Sequence, residues 1–380
     1  MCVTFHCFDL QRATHVKMTD GKGADHLSVD MTTDTVVDVI QTTASNFATS
    51  SSSSSRGINF YFRCAVVVIG VVGTLANALI LYAMVASKQH KKQALIFNQN
   101  SLDFLCCLFL VITYTLKVSN NDPSGSYSYG FCMLIQSDNL IWCVIFASKA
   151  NIVFITIERY LKVVYSIWSK KKLHKWMIYS AVALAWIIGF VHNNALLFAT
   201  SGVVNGRCYT YFLWKNRASQ MAYVIWYVLA FYVIVLIIFI FCYWHILKAI
   251  RRQAQVMAGH GTSGPSSSQT QSHQIQSNVI KTMILVSALY AISDFLMFLY
   301  ILQSNIYPNA RLPTIVYYIS MFMSFFYFCS NPFIYAIKFD PVKRVLLRLI
   351  PWKKNSVEPI EIVQIATCRG AGGRIAQTRD

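Results

Sequence analysis

Seven apolar blocks constrain this chain more than any other feature of its sequence. A helix of about 20 apolar residues crosses the ~30 Å hydrocarbon core of a bilayer, where only helices and closed barrels satisfy their backbone polar groups. The blocks lie at residues 61–86, 96–117, 131–161, 176–199, 219–249, 278–302 and 312–337. They predict an all-α membrane protein, folded as a seven-transmembrane helix bundle.

The composition agrees with a membrane protein and argues against two other classes. The 380 residues are 55% hydrophobic and only 13% charged, whereas soluble proteins carry about 25% charged residues. A net charge of +18 alone suggests nucleic acid, but the basic residues cluster in the loops between the blocks, so we expect a lipid bilayer and no nucleic acid as partner. The sequence shows no metal-ligand cysteine spacing, nucleophile–base pair or Gly-rich phosphate loop, which argues against an enzyme.

The positions of lysine and arginine predict the orientation. Seven spans place the two termini on opposite sides of the membrane. The stretches between blocks on one side, with the stretch after the last block, hold 18 lysines and arginines, against 4 on the other side. Because cytoplasmic loops carry the positive excess, we expect a multi-pass plasma-membrane protein with an extracellular N-terminus and a cytoplasmic C-terminus.

The chain divides into three predicted regions. Residues 1–57 are polar and include a run of serines, which predicts a disordered extracellular tail. Residues 58–350 form the helical domain, and residues 351–380 a cytoplasmic tail. Within that domain, apolar and basic residues alternate at helical spacing in 340–350, which predicts an amphipathic helix on the inner leaflet.

Five of the blocks carry short motifs in a recognisable order. The third block ends in Glu158-Arg159-Tyr160. The other motifs centre on Asn77, Asp103, Trp186 and the run Asn331-Pro332-Phe333-Ile334-Tyr335. Together they resemble the marker residues of the rhodopsin-like (class A) G-protein-coupled receptors, and the resemblance covers about residues 60–350.

The resemblance implies an allosteric receptor that binds an extracellular ligand and opens a cytoplasmic cavity for a heterotrimeric G protein. Arg159 would be held by Glu158 at rest, and Tyr243 and Tyr335 would support the open state. Arrestin and receptor kinases would be further partners. Where many members have an acid near the foot of the sixth helix, this chain has Gln276. We therefore expect a weak clamp on Arg159 and raised basal signalling.

The resemblance also implies a polar core and a disulfide. A sodium ion would bind beside Asp103 with help from Ser148 and Asn331, near Asn77, although Tyr327 and Phe328 are bulky where the family has smaller polar residues. No other cofactor is expected. A bridge from Cys132 to Cys208 would hold the second extracellular loop over the ligand pocket. Cys132 lies 27 residues before Arg159, two more than the family spacing.

The sixth span departs from the family pattern. Where the family has a tryptophan and a kink proline, this chain has Asp294 and Leu296, and the third span has Lys149 where the family is aliphatic. An unpaired charge at the bilayer centre costs at least ~3 kcal/mol. We therefore predict a buried Lys149–Asp294 ion pair, to which Tyr290 donates a hydrogen bond. The alternative is that both charges face water in a central cavity.

The predicted ligand pocket lies among the outer halves of the third, fifth, sixth and seventh spans. Its candidate lining residues are Asp138, Ile141, Trp142, Met297, Tyr317 and Met321. Ile141 stands where amine receptors have an aspartate, and Phe325 where opsins have the retinal-binding lysine, so a monoamine and retinal are disfavoured. A peptide with a basic group is the leading expectation, and a lipid or other small molecule the second. A seven-helix ion-coupled transporter, or a receptor without G-protein coupling, stays open.

Overall fold

The computed structural model describes residues 33–119, 128–204, 207–211, 213–259, 267–307, 312–338 and 340–349. Its long helices run Thr33–Ala86, Ala94–Ser119, Asn139–Val164, Lys175–Thr200, Ile234–Gly259, Ser267–Ile306 and Thr314–Lys338. Shorter helical elements cover Tyr129–Phe131, Cys132–Gln136, Ser166–Lys172, Arg217–Val228, Leu229–Val233 and Asp340–Leu349. Two strands, Gly202–Val204 and Arg207–Tyr209, pair antiparallel.

The helices form the predicted seven-helix bundle. Six of the described helical segments are long and apolar enough to cross a membrane: Gly57–Ala86, Ala94–Ser119, Tyr129–Val164, Lys175–Thr200, Arg217–Gln253 and Ser277–Ile306. We number them as spans one to six, and the helix Thr314–Lys338 is the seventh span. The seventh span packs against the first, second and sixth spans. The predicted fold class is thereby confirmed, with boundaries that agree within a few residues.

The two ends of the chain are described only in part. Residues 1–32 and 351–380 lie outside the described residues. The first helix begins at Thr33, inside the range predicted as a disordered tail, so the division into tails and receptor domain stays a prediction. The helix Asp340–Leu349 stands where the amphipathic helix was predicted, and it packs against the first and seventh spans.

The third span lies inside the bundle and contacts the second, fourth, fifth and sixth spans. Gly189 lets the fourth span come close to it. A Cβ on Gly189 would lie 2.3 Å from the Cys143 carbonyl oxygen and 2.7 Å from the Ala147 nitrogen. Since no larger residue fits there, this glycine sets the contact distance between the two helices.

Two π-helical turns interrupt the outer halves of the spans. One covers Cys132–Gln136 and is followed by Asp138 in the left-handed conformation, with φ of 56°. A π turn holds more residues than an α turn, so this irregular start accommodates the two extra residues between Cys132 and Arg159. The other π turn, Leu229–Val233, lies in the fifth span.

The loop between the fourth and fifth spans is attached to the third span by the predicted disulfide. Cys132 and Cys208 are bonded, with their Cα atoms 5.5 Å apart, which confirms the pairing. After the hairpin, the Tyr211 hydroxyl donates to Asn193 Oδ1 (3.3 Å) and to the Ser137 carbonyl (3.5 Å). Burial raises the pKa of the Tyr211 phenol far above its usual value, so it stays a neutral donor.

Candidate functional site

A buried ion pair joins the third and sixth spans. Lys149 Nζ lies 2.6 Å from Asp294 Oδ2, and the two side chains are 5% and 7% exposed. Ser324, in the seventh span, donates from its Oγ to Asp294 Oδ1 at 2.9 Å. The structure therefore brings the two predicted charges into contact, and a third helix is hydrogen-bonded to the carboxylate.

Aromatic rings surround the Lys149 ammonium. Its Nζ lies 5.1 Å from the centroid of the Phe298 ring and 5.7 Å from that of Tyr290. Ring faces attract a cation through their quadrupole, which adds about 0.5–2 kcal/mol. The pair is thus almost fully buried, with two aromatic rings of the bundle core against its ammonium.

The hydrogen-bond acceptor predicted for the Tyr290 hydroxyl, Asp294, was wrong. The Tyr290 hydroxyl donates to the backbone carbonyl of Phe231 in the fifth span, not to Asp294. Phe231 lies within the π turn Leu229–Val233. A π turn departs from the regular helical hydrogen-bond pattern, and at this turn a tyrosine hydroxyl from the sixth span donates to a carbonyl of the fifth.

A second buried ion pair lies nearer the outer end of the bundle. Lys117 Nζ, at the end of the second span, lies 2.6 Å from Asp138 Oδ1, and the side chains are 6% and 7% exposed. The same ammonium donates to the Gln136 carbonyl at 3.3 Å. Sequence reasoning had singled out Asp138 as the acid of the ligand pocket but had not considered Lys117.

The buried Asp103 accepts hydrogen bonds from two amides. Gln99 Nε2 donates to Asp103 Oδ1 at 2.9 Å, and Asn331 Nδ2 donates to Oδ2 at 2.8 Å. Gln99 Nε2 also donates to Ser148 Oγ at 2.5 Å. Asp103, Ser148 and Asn331 are thus together as the resemblance implies, with Gln99 between the first two.

These contacts do not fit a sodium ion. A hard cation requires oxygen ligands with free lone pairs, whereas the group shared by Asp103 and Ser148 is an amide nitrogen that carries protons. Asn331 also presents its nitrogen to the carboxylate. Asn77 donates to the carbonyls of Gly73 (3.0 Å) and Phe328 (3.2 Å), so its amide ties the first and seventh spans together.

The end of the third span opposite the disulfide carries a loosely held arginine. Arg159 Nη2 lies 3.3 Å from Glu158 Oε2, an ion contact without hydrogen-bond geometry. Lys162 Nζ is closer to Glu158, 2.5 Å from Oε1. Glu158 is therefore shared by two cations. The side chain of Gln276, the candidate for the missing clamp, lies outside the described residues.

Tyr243 joins three helices near this arginine. Its hydroxyl lies 3.1 Å from Thr156 Oγ1, 2.8 Å from Ser287 Oγ and 3.3 Å from the Met283 carbonyl. Thr156 belongs to the third span, and the other two residues to the sixth. Of the remaining predicted switch residues, Tyr335 is buried at the end of the seventh span, and the Tyr160 ring lies 5.7 Å from that of Phe241.

The candidate ligand-pocket residues are all buried in this structure. They are Asp138, Ile141, Trp142, Met297, Tyr317 and Met321, each at most 8% exposed. The rings of Tyr317 and Tyr300 are 5.3 Å apart, which joins the sixth and seventh spans at the outer end. Apart from Asp138, these residues form a tightly packed apolar and aromatic region.

Comparison with known proteins identifies the family. The model of the family described as "7 transmembrane receptor (rhodopsin family)" matches residues 76–335. The chain therefore belongs to the rhodopsin family of seven-transmembrane receptors. The crystal structure of squid rhodopsin is similar, with a TM-score of 0.64 and 14% identity over 78% of this chain and 86% of that chain, which is a likeness of fold. A search of curated proteins found no match.

Proposed function

We propose that this receptor binds an extracellular ligand among the outer halves of its helices and activates a heterotrimeric G protein at its cytoplasmic face. The observation that carries the proposal is the position of Tyr243, whose hydroxyl ties the sixth span to the third beside Arg159. Moving the sixth span outward breaks these bonds and releases the Tyr243 hydroxyl for the role in the open state that the family resemblance implies. The same movement opens a cavity beside an arginine that, among the described residues, pairs with one carboxylate, which it shares with Lys162.

The Lys149–Asp294 pair is the proposed switch between ligand site and cytoplasmic face. It joins the two helices that must move relative to each other, at the level where the family has its aromatic packing switch. A ligand shifts such an equilibrium only by its differential affinity for the two arrangements. We propose that the bound ligand favours an arrangement in which this pair is separated or displaced.

Raised basal signalling is part of the proposal. Lys162 competes with Arg159 for Glu158, so the resting contact of the arginine is weak. Cells expressing the receptor should contain more second messenger than mock-transfected cells, and Arg159→Ala should return the level to that of mock cells at equal surface expression. Equal second-messenger levels in receptor and mock cells would contradict raised basal signalling.

The proposed ligand is a peptide whose basic group reaches Asp138. That group must displace Lys117 from the carboxylate. The second candidate is a lipid or other small apolar molecule. Asp138 is already paired with Lys117, and the other predicted lining residues are apolar or aromatic. Lys117→Met separates the candidates: it should increase affinity for a basic peptide several-fold and leave the affinity for an uncharged ligand unchanged.

The experiment that tests the function is a ligand screen with a nucleotide control. Cells co-expressing the receptor and a promiscuous G protein are screened with peptide and lipid libraries, and binding of any hit is then measured in membranes with and without a guanine nucleotide. A receptor shows agonist affinity that falls when the nucleotide is added. Nucleotide-independent affinity together with ion flux would identify an ion-coupled transporter instead. Arrestin, receptor kinases and the plasma-membrane orientation belong to the proposal as well.

A further inference from the structure

We infer that the side-chain amide of Gln99 takes the place of a sodium ion beside Asp103, so that the stability of this receptor does not respond to sodium. The inference concerns the receptor's own core and is independent of which ligand or G protein it uses. Gln99 is fully buried in the second span, one helical turn before Asp103. Its amide nitrogen bridges Asp103 Oδ1 and Ser148 Oγ, at 2.9 Å and 2.5 Å.

The direction of the Gln99 amide is fixed by a chain of hydrogen bonds that begins at Trp186. An indole nitrogen only donates, and Trp186 Nε1 donates to Asn98 Oδ1 at 3.1 Å. The nitrogen of Asn98 must then point the other way, and it donates to Asn151 Oδ1 at 3.0 Å. The position of each amide oxygen in the chain is therefore determined by the preceding donor.

The next bond carries this direction to Gln99. Asn151 Nδ2 donates to Gln99 Oε1 at 2.9 Å and to the backbone carbonyl of Leu95, which only accepts, at 3.1 Å. Because Gln99 Oε1 is used by Asn151, the protons of Gln99 Nε2 face Asp103 and Ser148. If the Gln99 amide were reversed, its nitrogen would face the nitrogen of Asn151, and its oxygen would face an oxygen of Asp103.

This arrangement supplies at Asp103 what a cation would supply. The amide protons stabilise the buried carboxyl oxygen, and the amide occupies one lone pair of Ser148 Oγ and the space between the two oxygens that a hard cation needs. The other oxygen, Oδ2, already accepts the Asn331 amide. A sodium ion would therefore have to displace Gln99 and break the chain that leads back to Trp186.

Thermal unfolding in matched salts tests the inference. The purified full-length receptor is unfolded in lipid nanodiscs, with sodium or choline chloride at an ionic strength of about 0.15 M, and intrinsic tryptophan fluorescence is followed. We expect equal Tm values for the wild type. Gln99→Leu removes the amide and leaves Asp103 Oδ1 and Ser148 Oγ without it, so its Tm should be higher in sodium by at least about 2 °C.

Two further variants make the outcome specific. Gln220→Leu removes an amide that donates to Asn305 Oδ1 at the outer end of the fifth span, and it should show no difference between salts. Adding Asp103→Asn to Gln99→Leu should abolish the sodium effect. A sodium-selective rise of the wild-type Tm that Asp103→Asn removes would overturn the inference. So would a folded Gln99→Leu variant whose Tm is the same in both salts.

Discussion

The third span takes part in two buried lysine–aspartate pairs that have the same length but different surroundings. In each, Nζ lies 2.6 Å from a carboxylate oxygen, and every side chain is at most 7% exposed. The outer pair, Lys117–Asp138, lies beside the disulfide-bonded start of the third span. Its lysine lies over one ring, 5.0 Å from the Tyr114 centroid, and also donates to a backbone carbonyl. The inner pair, Lys149–Asp294, lies between aromatic rings and joins the third span to the sixth.

The difference teaches that the same chemistry can serve as a fixed tie or as a switch. Breaking a buried pair by removing one partner costs about 3–5 kcal/mol in either place. The outer pair connects the second span to the start of the third, which the disulfide also attaches to the loop after the fourth span. The inner pair connects two helices whose relative movement opens the cytoplasmic face in our proposal. Measurements of stability alone therefore do not show which pair is the tie and which is the switch, whereas measurements of basal signalling do.

The largest effect should come from Lys149→Met. It leaves Asp294 without its cation, so we expect about 3–5 kcal/mol of destabilisation, surface expression reduced several-fold and altered basal signalling. The double variant Lys149→Met/Asp294→Leu should recover part of the expression, because neither charge then remains buried. Lys175→Met, at an exposed lysine of the fourth span, serves as the control. Strictly additive losses in the double variant would show that the two residues do not act as a pair.

Lys117→Met should have the next largest effect on stability, about 3 kcal/mol, because the pair lies nearer the outer end of the bundle, where water is closer. Thermal unfolding measures this loss, and Asp138→Leu in combination should recover part of it. Basal second-messenger output per receptor at the surface should stay unchanged. If Lys117→Met altered basal output as strongly as Lys149→Met, the distinction between tie and switch would fail.

Tyr290→Phe should destabilise the receptor by about 1–3 kcal/mol, because the buried carbonyl of Phe231 loses its donor. The phenylalanine keeps the ring face beside Lys149, so the loss should add to that of Lys149→Met. Tyr232→Phe is the matched control: its hydroxyl donates to the Ala291 carbonyl from a half-buried position. A control variant that loses as much Tm as Tyr290→Phe would refute a special role for the π turn.

The smallest effect should come from Ser324→Ala, about 1 kcal/mol or a few degrees in Tm, because Asp294 keeps its bond to Lys149. Ser320→Ala is the control one turn earlier, where the hydroxyl donates only to the Val316 carbonyl of its own helix. We expect Ser324→Ala alone to change basal signalling, since it alone loosens the inner pair. Equal signalling from both variants would place Ser324 outside the switch.

Much of this architecture was predictable because its causes are local. Runs of about 20 apolar residues must cross a membrane as helices, so the spans and their order follow from hydropathy. The contact of Lys149 with Asp294 was predictable for a related reason: two opposite charges at membrane depth on adjacent helices are costly apart. Cys132 and Cys208 were paired by resemblance, and the structure joins them.

Gln99 and Lys117 were missed although each leaves a trace in the sequence. Gln99 precedes Asp103 by four residues, so helical periodicity alone places the two side chains on one face. Lys117 is a charged residue at the end of an apolar block. What periodicity does not show is the group on the facing helix, and those partners, Ser148 and Asp138, decide what the two residues do.

The amino-acid sequence by itself determined the number and order of the spans and the presence of two opposite charges in the core, because these follow from the cost of burying polar groups in hydrocarbon. Only the tertiary structure decided which acceptor Tyr290 meets and which way the Gln99 amide points. The first depends on a carbonyl that lies in a π turn of another helix. The second depends on a hydrogen-bond chain through three spans to Trp186. Hydrogen bonds are directional, so such choices are made only when the helices pack.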